Sequence, residues 1–430
     1  MSWNIFEHPL DVAKRLGFSV AGNLGAEAFV ELELAYASGL LPKFKDNHVM
    51  RVRQNVLLYW DQSYFKTTTI NEFAKTIPDD LGVVDITSMS PQMIFGSLSE
   101  DRKYIVRPAF AGKRFALITE LLSFIGSGNT MKDIVNTMNK VMEGERVTRQ
   151  LLKFGKIDFD SEQIEKLKQK GIFYDPYQAQ LSYRPDVCIL AASRPMDNRT
   201  YTYLRSSGHL YRYHIIQHEI DDLEAEQYLV ENYSPDVHLQ KELKALNEQL
   251  KRVSIKDLRM PSMSIMQKVT SPLVEIVKDE ITSEKRRLSE IIDMRTKGDI
   301  MRELTAHAFI RTAHTNGFRD IERLEYTEED LEFILSRLHH FVEFKLNPLF
   351  AEEWTVSRIR KKRPREYVQD IILEFLKDKS AQSSRNEIIQ YVKSKMDVST
   401  PTIDNCLREL LGRGVIYQPR YGYYKLGKAN

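Results

Sequence analysis

The chain has very few cysteines and no long apolar run. Only Cys188 and Cys406 occur among its 430 residues, so neither a disulfide framework nor a zinc site with four thiolate ligands can be built. No apolar stretch approaches the roughly 20 residues that a membrane-spanning helix requires, and Glu7 and Asp11 interrupt the region where a signal peptide is apolar. We therefore expect a cytoplasmic protein without membrane contact.

The chain also lacks an excess of charge of either sign. Sixty-two Lys and Arg residues stand against 60 Asp and Glu residues, which gives a formal net charge of +2. The overall charge thus indicates no particular partner, and any signal for nucleic acid must be local. With 42% hydrophobic residues, a chain of this length can bury a full core and is expected to form two to three domains.

Strand-like and helical patterns alternate in the first half of the chain. A buried strand at 56–59 is followed by a polar loop and by a helix that starts near Thr67 and ends before Pro78. This alternation predicts an α/β sheet with helices on its faces. Further strand-like runs occur at 83–86, 104–106, 115–118 and 187–191.

The second half of the chain reads differently, because the pattern after Leu223 predicts helix throughout. Leucines spaced by four, three and four residues within 238–253 indicate a packed helix or a short coiled coil. We expect five segments: an N-terminal helical segment at 1–50, an α/β core at 51–225, a helical lid at 226–350, a basic linker at 351–365 and a C-terminal domain at 366–430.

The last 65 or so residues predict three helices and a hairpin. Thr400 or its neighbour Ser399 can cap the third helix, Pro401 suits its first position, and Gly412 ends it. A segment at 415–426 then alternates around a turn from Pro419 to Gly422. Together these features predict a winged helix-turn-helix that binds duplex DNA in the major groove.

Two groups of residues are predicted to contact that DNA. The basic linker is well placed to lie along phosphates, and the third helix and the wing would reach bases or backbone. The alternative is that the linker is only solvated and that the domain binds a protein. The predicted contacts are Arg358, Arg360, Lys361, Lys362, Arg363, Thr400, Thr402, Asn405, Arg408, Arg420 and Tyr421.

The loop after the first strand keeps half of a phosphate-binding motif. Such a loop needs glycines that let the backbone wrap the phosphates, then a Lys for their charge and a hydroxyl for Mg²⁺. Lys66 and Thr67 have the required spacing, but Trp60 and Phe65 occupy both glycine positions. Aromatic residues there resist positive φ and would fill space that the phosphates need.

A second strand ends in half of an acidic pair. ATPases of this type place one carboxylate near the metal and another near the attacking water. The strand at 115–118 is followed by Thr119 and Glu120, so the carboxylate that activates water is present and Thr119 replaces the carboxylate near the metal.

Further stretches follow in the order found in the MCM branch of the AAA+ ATPases, which the chain resembles over roughly residues 25–340. Residues 141–148 (VMEGERVT) are similar to that family's MEQQTVS segment, and 187–195 (VCILAASRP) to its sensor 1 strand. Residues 207–213 (SGHLYRY) resemble its LLSRFD stretch, and a segment from Arg295 resembles its lid pattern. The family's N-terminal oligonucleotide-binding barrel has no counterpart, which implies a reduced relative.

The resemblance implies a role for each matching residue. Lys66, Thr67 and Ser193 would bind ATP, with Thr67 also on Mg²⁺, and Glu120 would be catalytic. Arg212 would be an arginine finger that reaches a neighbouring subunit, and Arg295 the sensor 2 arginine. The alternative for five of them is structural: Lys66 and Thr67 as a solvated first turn of a helix, and Glu120, Arg212 and Arg295 as ion-pair partners.

We therefore expect an α/β protein with an AAA+ (P-loop-like) core, a helical lid and a C-terminal winged helix. Its expected function is DNA binding in replication, as a homo-oligomer or with another MCM-like subunit, with weak or absent ATP hydrolysis. Two alternatives remain: an active ATP-dependent helicase of a mobile element, and a winged-helix regulator that uses the AAA+-like part only to oligomerise.

Overall fold

The computed structural model describes most of the chain in two compact units, Met1–Ala351 and Glu352–Asn430. No helix within the described residues is both long and apolar enough to cross a membrane. The described residues are 9–17, 22–47, 51–61, 65–99, 103–126, 128–152, 159–220, 235–281, 288–350, 364–379, 382–395, 398, 400–412, 415–420 and 423–426.

A parallel sheet of five short strands forms the centre of the first unit. All its neighbouring strands run in the same direction, so their carboxyl ends lie along one edge and their amino ends along the other. The spatial order is β10, β1, β9, β5 and β2. These strands are β1 (Val56–Tyr59), β2 (Val83–Asp85), β5 (Phe115–Ile118), β9 (Cys188–Ser193) and β10 (His214–Gln217).

Smaller sheets lie outside the central one. Two are antiparallel: β3 (Ser97–Leu98) pairs with β4 (Ile105–Val106), and β8 lies between two neighbours in a three-stranded sheet. The members of that sheet are β6 (Val147–Gln150), β7 (Ile172–Asp175) and β8 (Gln180–Tyr183). A parallel pair joins β11 (Ile255–Asp257) to β12 (Ile321–Arg323).

Helices surround the sheet and continue into the second half of the unit. Those before β10 are α1 (Pro9–Arg15), α2 (Gly22–Leu40), α3 (Lys66–Ala74), α4 (Pro91–Phe95), α5 (Leu121–Ile125), α6 (Gly128–Glu143), α7 (Ser161–Lys168) and α8 (Asn198–Ser206). Those after it are α9 (Val237–Arg252), α10 (Met263–Ile281), α11 (Leu288–Ile291), α12 (Met294–Thr315), α13 (Glu328–Leu335) and α14 (Glu343–Leu346).

Both faces of the central sheet are covered, because its strands are apolar on both sides. In β1, Leu58 belongs to one apolar cluster with α2 and α3, whereas Leu57 belongs to a second cluster with α5 and α6. Continuous apolar runs of this kind are typical of parallel strands buried on both faces. Helix α9 buries Leu239, Leu243 and Leu250 in the first cluster, which confirms the prediction of a packed helix.

The α/β class and most of its strands agree with the sequence prediction, but three details differ. The predicted strand at 104–106 lies in a hairpin outside the central sheet, and β10 supplies the fifth strand of that sheet instead. The prediction of helix throughout after Leu223 is wrong, because β11 and β12 pair there. The predicted boundary at 225 lies inside the first compact unit.

Among its described residues, the second unit has three helices and a three-stranded antiparallel sheet in the order β13, β15 and β14. One apolar cluster joins them, including Ile372, Ile388, Leu407 and Tyr424. Its elements are α15 (Pro364–Asp378), β13 (Ser383–Ser384), α16 (Arg385–Lys395), α17 (Thr400–Gly412), β14 (Ile416–Arg420) and β15 (Tyr423–Leu426). Helices and hairpin therefore lie where the sequence predicts them.

Candidate nucleotide site

Four of the predicted site residues meet at the carboxyl edge of the central sheet. Lys66 and Thr67 begin α3 just after β1, Glu120 follows β5, and Ser193 ends β9. Since β9 lies between β1 and β5, the end of β9 lies between the loop that follows β1 and Glu120, which follows β5. The strand order thus brings together Lys66 and Ser193, which are 127 positions apart along the chain. Ligands of open parallel sheets commonly bind outside this edge.

Phe65 holds the backbone conformation that its glycine position in the motif would require. Its φ and ψ angles are 53° and 15°, in the left-handed region, and it immediately precedes α3. For a residue with a side chain this conformation costs about 1–2 kcal/mol. Its side chain remains 40% exposed. The loop therefore keeps the positive φ that we expected an aromatic residue to resist.

Trp60, at the other glycine position, turns its side chain into the protein. The indole is fully buried in the apolar cluster beneath α2 and α3. Lys66 Nζ lies 5.7 Å from the centre of this ring, within the range of a cation–π interaction. Trp60 thus supports the lysine from the core side.

The ammonium group of Lys66 is buried and points back at its own loop. It donates hydrogen bonds to the carbonyl oxygens of Trp60, at 2.6 Å, and of Asp61. Burial lowers the pKa of Lys66 to about 8, against the opposing charges of Glu120 and Asp61. An anion in the loop would offset this desolvation, since a negative charge nearby favours the protonated amine.

A line of hydroxyl groups connects the start of α3 to two neighbouring strands. Thr67 Oγ1 donates to the carbonyl oxygen of Thr119 at 3.1 Å. The hydroxyls of Thr119 and Thr87 lie 3.1 Å apart, and the amide of Thr119 donates to Thr87 Oγ1 at 2.7 Å. Thr119 thus fills the position of the missing carboxylate with a group already held by Thr87, which no sequence motif singled out.

Glu120 serves as the N-cap of α5. Its Oε1 accepts a hydrogen bond from the amide of Leu122 at 3.2 Å. A carboxylate is favoured at this place because helix N-termini carry partial positive charge. Its charge also acts on Lys66, so Glu120 belongs to the site electrostatically while one oxygen is used as a cap.

Ser193 is fully buried at the end of β9, and its hydroxyl donates to the carbonyl oxygen of Arg194 at 2.9 Å. It pairs in register with Tyr59, the last residue of β1. The backbone of Ser193 therefore adjoins the loop, while its hydroxyl is engaged within its own strand end.

Arg212 and Arg295 lie at the opposite edge of the sheet and share one carboxylate. Arg212 precedes β10 at its amino end, since His214 pairs with Val56 at the start of β1. Glu143 Oε1 lies 3.0 Å from Arg212 Nε and 3.4 Å from Arg295 Nη1. Burial, followed by the charge of Arg295, lowers the pKa of Arg212. Glu143 falls within the segment that resembles MEQQTVS but was not predicted as a site residue.

These two arginines lie at the other end of the strands from Lys66 of the same chain. A four-residue strand separates the two edges by about 13 Å, at roughly 3.3 Å per residue. The structure therefore divides the six predicted nucleotide residues into a group of four and a pair.

The predicted DNA contacts are only partly described. Thr400 begins α17, and Thr402, Asn405 and Arg408 lie within it, while Arg420 ends β14. Tyr421 and the five linker residues at 358, 360, 361, 362 and 363 lie outside the described residues, as do the side chains of 402, 405, 408 and 420.

Neither a scan of the chain against protein-family models nor a search of the curated proteins gives a match.

Proposed function

We propose that the protein is a DNA-binding, MCM-like member of the AAA+ class that binds ATP at the carboxyl edge of its sheet and hydrolyses it weakly or not at all. In this proposal the first unit is an AAA+ core with a helical lid and the second is a winged helix. The protein acts in DNA replication as an oligomer, either of itself or with another MCM-like subunit.

The left-handed backbone of Phe65 carries the proposal. Strained backbone persists only where the surrounding structure imposes it, and such strain is concentrated at functional sites. Here it occurs at the position before Lys66 and Thr67 where a phosphate-binding loop has glycine. A helix that merely happened to begin with Lys and Thr would have no reason to keep this φ.

The residues present suit phosphate better than they suit catalysis. The site offers a buried ammonium group and the start of a nine-residue helix, both of which favour anions. For Mg²⁺ it offers the Thr67 hydroxyl, but Thr119 replaces a carboxylate and Glu120 is partly engaged as a helix cap. When bound, Mg²⁺ would neutralise phosphate charge, and Thr67 is the residue that would reach it.

Arg212 and Arg295 support an oligomeric protein in this proposal. They lie together on the edge opposite to Lys66, so they can act on a nucleotide only if it is bound by another subunit. Both arginines contact Glu143, and the charge of Glu145 also acts on Arg212. The guanidinium groups have several N–H donors each, so they can also bind a phosphate oxygen.

The second unit supports DNA binding through the order of its elements. A recognition helix at α17 followed by a hairpin wing is a recurring way to reach a major groove and the adjacent backbone. The basic segment at 358–363, which precedes α15 in the chain, adds salt-dependent contacts to phosphates.

The first experiment is calorimetric titration of ATP with magnesium into the full-length protein, with and without duplex DNA. We expect saturable binding in the micromolar range, lost in Lys66→Ala and retained in the control Lys75→Ala, which removes a half-exposed lysine one helix length away. Absence of binding by the unmodified chain would overturn the nucleotide proposal and favour a regulator that uses this core only to oligomerise. Rapid DNA-stimulated hydrolysis would favour an active helicase.

A further inference from the structure

A second basic site lies at the amino edge of the sheet. Residues one to three positions before three adjacent strands converge there: Arg53 before β1, Asp186 before β9 and Arg114 before β5. Neighbouring strands of a sheet lie about 4.8 Å apart, so these side chains are in reach of one another. Beside them is a cavity of about 480 Å³, called the amino-edge cavity here, which is lined by Lys113, Arg114, Lys170, Arg184, Asp186 and Lys251 among others.

Three arginines share the single carboxylate of Asp186. Arg53 Nη1 contacts Oδ1 and Arg114 Nη1 contacts Oδ2, while Arg51 Nη1 lies 3.6 Å from Oδ1. The Arg51 and Arg53 side chains are only 13% and 11% exposed, whereas Asp186 is 54% exposed. Within these four residues positive charge exceeds negative charge by two, although the charge of Glu143 also acts on Arg51. The Asp186 carboxylate faces solvent.

The pKa values of the three arginines are lowered. Burial, followed by the charges of Arg114 and Arg51, lowers the pKa of Arg53 to about 9. Burial also lowers the pKa of Arg114 and of Arg51, with Arg184 adding to the effect on Arg51. Groups held together against their own repulsion are commonly found where a ligand of opposite charge binds.

The wall of the cavity adds further cations. Arg184 and Lys170 are exposed, and within the described part of the chain neither has an ion-pair partner. Lys251, by contrast, is paired with Asp80 at 2.6 Å. The exposed cations give a ligand access, and Arg114, which lines the cavity and contacts Asp186, gives it a guanidinium held in place.

We propose that the amino-edge cavity binds phosphate groups, either of a free polyphosphate compound or of a nucleic-acid backbone. The planar guanidinium presents parallel N–H donors that match the oxygens of a phosphate. Two guanidiniums, of Arg114 and Arg184, line the cavity with Lys113 and Lys170. Such a set of cations suits more than one phosphate, and the cavity volume lies within the range of small-ligand sites. This site is separate from the loop at Lys66, because the two occupy opposite edges of the sheet.

The test is titration of the full-length protein with inorganic tripolyphosphate and, separately, with a single-stranded 20-nucleotide DNA at low salt. Both are measured in a Lys66→Ala background, which removes the other phosphate site. The test variant is Arg184→Ala/Lys170→Ala, since both side chains are exposed and the fold does not depend on them. The matched control is Lys268→Ala/Lys278→Ala on α10, which removes the same charge away from the cavity.

We expect the test variant to weaken binding of the phosphate probe about tenfold or more, the loss typical of one charge-assisted hydrogen bond, and the control to change it little. A loss with tripolyphosphate alone identifies a free polyphosphate ligand, and a loss with both probes identifies a nucleic-acid backbone. If neither probe binds the Lys66→Ala protein, or if test and control variants lose equal affinity, the proposal is overturned and the arginines serve only to join strand ends.

A second measurement uses the carboxylate. Asp186→Asn removes the acid that the three arginines share and should lower the thermal stability of the protein in chloride buffer. Tripolyphosphate should then raise the melting temperature of this variant more than that of the unmodified chain, because it replaces the lost negative charge. An equal rise in both proteins, or an equal rise with chloride at matched ionic strength, would contradict a phosphate site.

Discussion

Phe65 combines an unfavourable backbone with an exposed aromatic ring. Its left-handed conformation precedes a buried lysine whose ammonium group returns to the carbonyls of the loop. Glycine would remove the clash between Cβ and backbone at this position, whereas alanine would retain it. The residue at 65 therefore affects the loop through its Cβ atom more than through its ring.

Replacing Phe65 should consequently reverse the usual order of alanine and glycine. At ordinary positions glycine is less stable than alanine by roughly 0.5–1 kcal/mol, but here we expect Phe65→Gly to be more stable than Phe65→Ala by about 1 kcal/mol. Urea unfolding of the two variants measures the difference, and ATP titration should show tighter binding by the glycine variant. An alanine variant more stable than the glycine variant would contradict backbone strain at position 65.

At the scale of an element, helix α2 contains two glutamates in surroundings that disfavour charge. It is buried along most of its length, yet it contains Glu31 and Glu33, both fully buried. Glu31 is neutralised by an ion pair with Arg337. Burial raises the pKa of Glu33 to about 8, against a smaller opposing effect of the Asn247 side chain. A helix enclosed in this way can keep its second glutamate only by keeping it protonated.

Glu33 should therefore make folding stability depend on pH. The folded pKa is above the unfolded value of 4.5, so between pH 4.5 and about 8 the folded chain holds a proton that the unfolded chain has lost. Stability contributed by this proton is present below pH 4.5 and is lost as the pH rises through that window. Relative to Glu33→Gln, the unmodified chain should lose on the order of 4 kcal/mol between pH 5 and 8.

Urea unfolding at several pH values, with each protein measured in parallel, gives this difference. Glu332→Gln is the matched control, because Glu332 lies on an exposed face of α13. Identical pH profiles for Glu33→Gln and the unmodified chain would show that Glu33 is ionised in the folded protein.

At the scale of the whole molecule, buried polar contacts join the α/β and helical parts into one unit. Gln54 Nε2 donates to Glu303 Oε1 at 2.9 Å and to Glu31 Oε2 at 3.3 Å, and His214 Nδ1 lies 3.1 Å from Glu303 Oε1. Arg337 completes the group on Glu31. These contacts connect α2, β10 and α12 across the boundary that the sequence places at 225, which accounts for a single compact unit up to Ala351.

The division of the nucleotide residues between two edges predicts complementation between subunits. Lys66→Ala and Arg212→Ala should each weaken ATP binding in the assembled protein, because one removes the loop and the other the arginine of a neighbour. Mixed in equal amounts, they should restore about one quarter of the interfaces by random pairing. Calorimetry counts the restored sites, and size-exclusion chromatography checks that both variants assemble. Assembly without any restoration would show that Arg212 does not act on a neighbouring site.

The sequence by itself determined the local elements: β1 and β5, the packed helix at α9, and the three helices and hairpin of the C-terminal unit. Apolar periodicity, glycine and proline signals and helix caps act over a few residues, so they can be read along the chain. Lys66, Thr67 and Glu120 were recognisable as a group because each follows a strand.

Only the tertiary structure decided how distant parts meet. The order of the five strands, the pairing of β11 with β12 and the sharing of Glu143 and Asp186 by arginines depend on contacts between residues far apart in sequence. The positive φ of Phe65 belongs here too, because its own preference opposes that conformation and the surrounding fold imposes it. Strand order and burial set these features, and neither is encoded in a short stretch of residues.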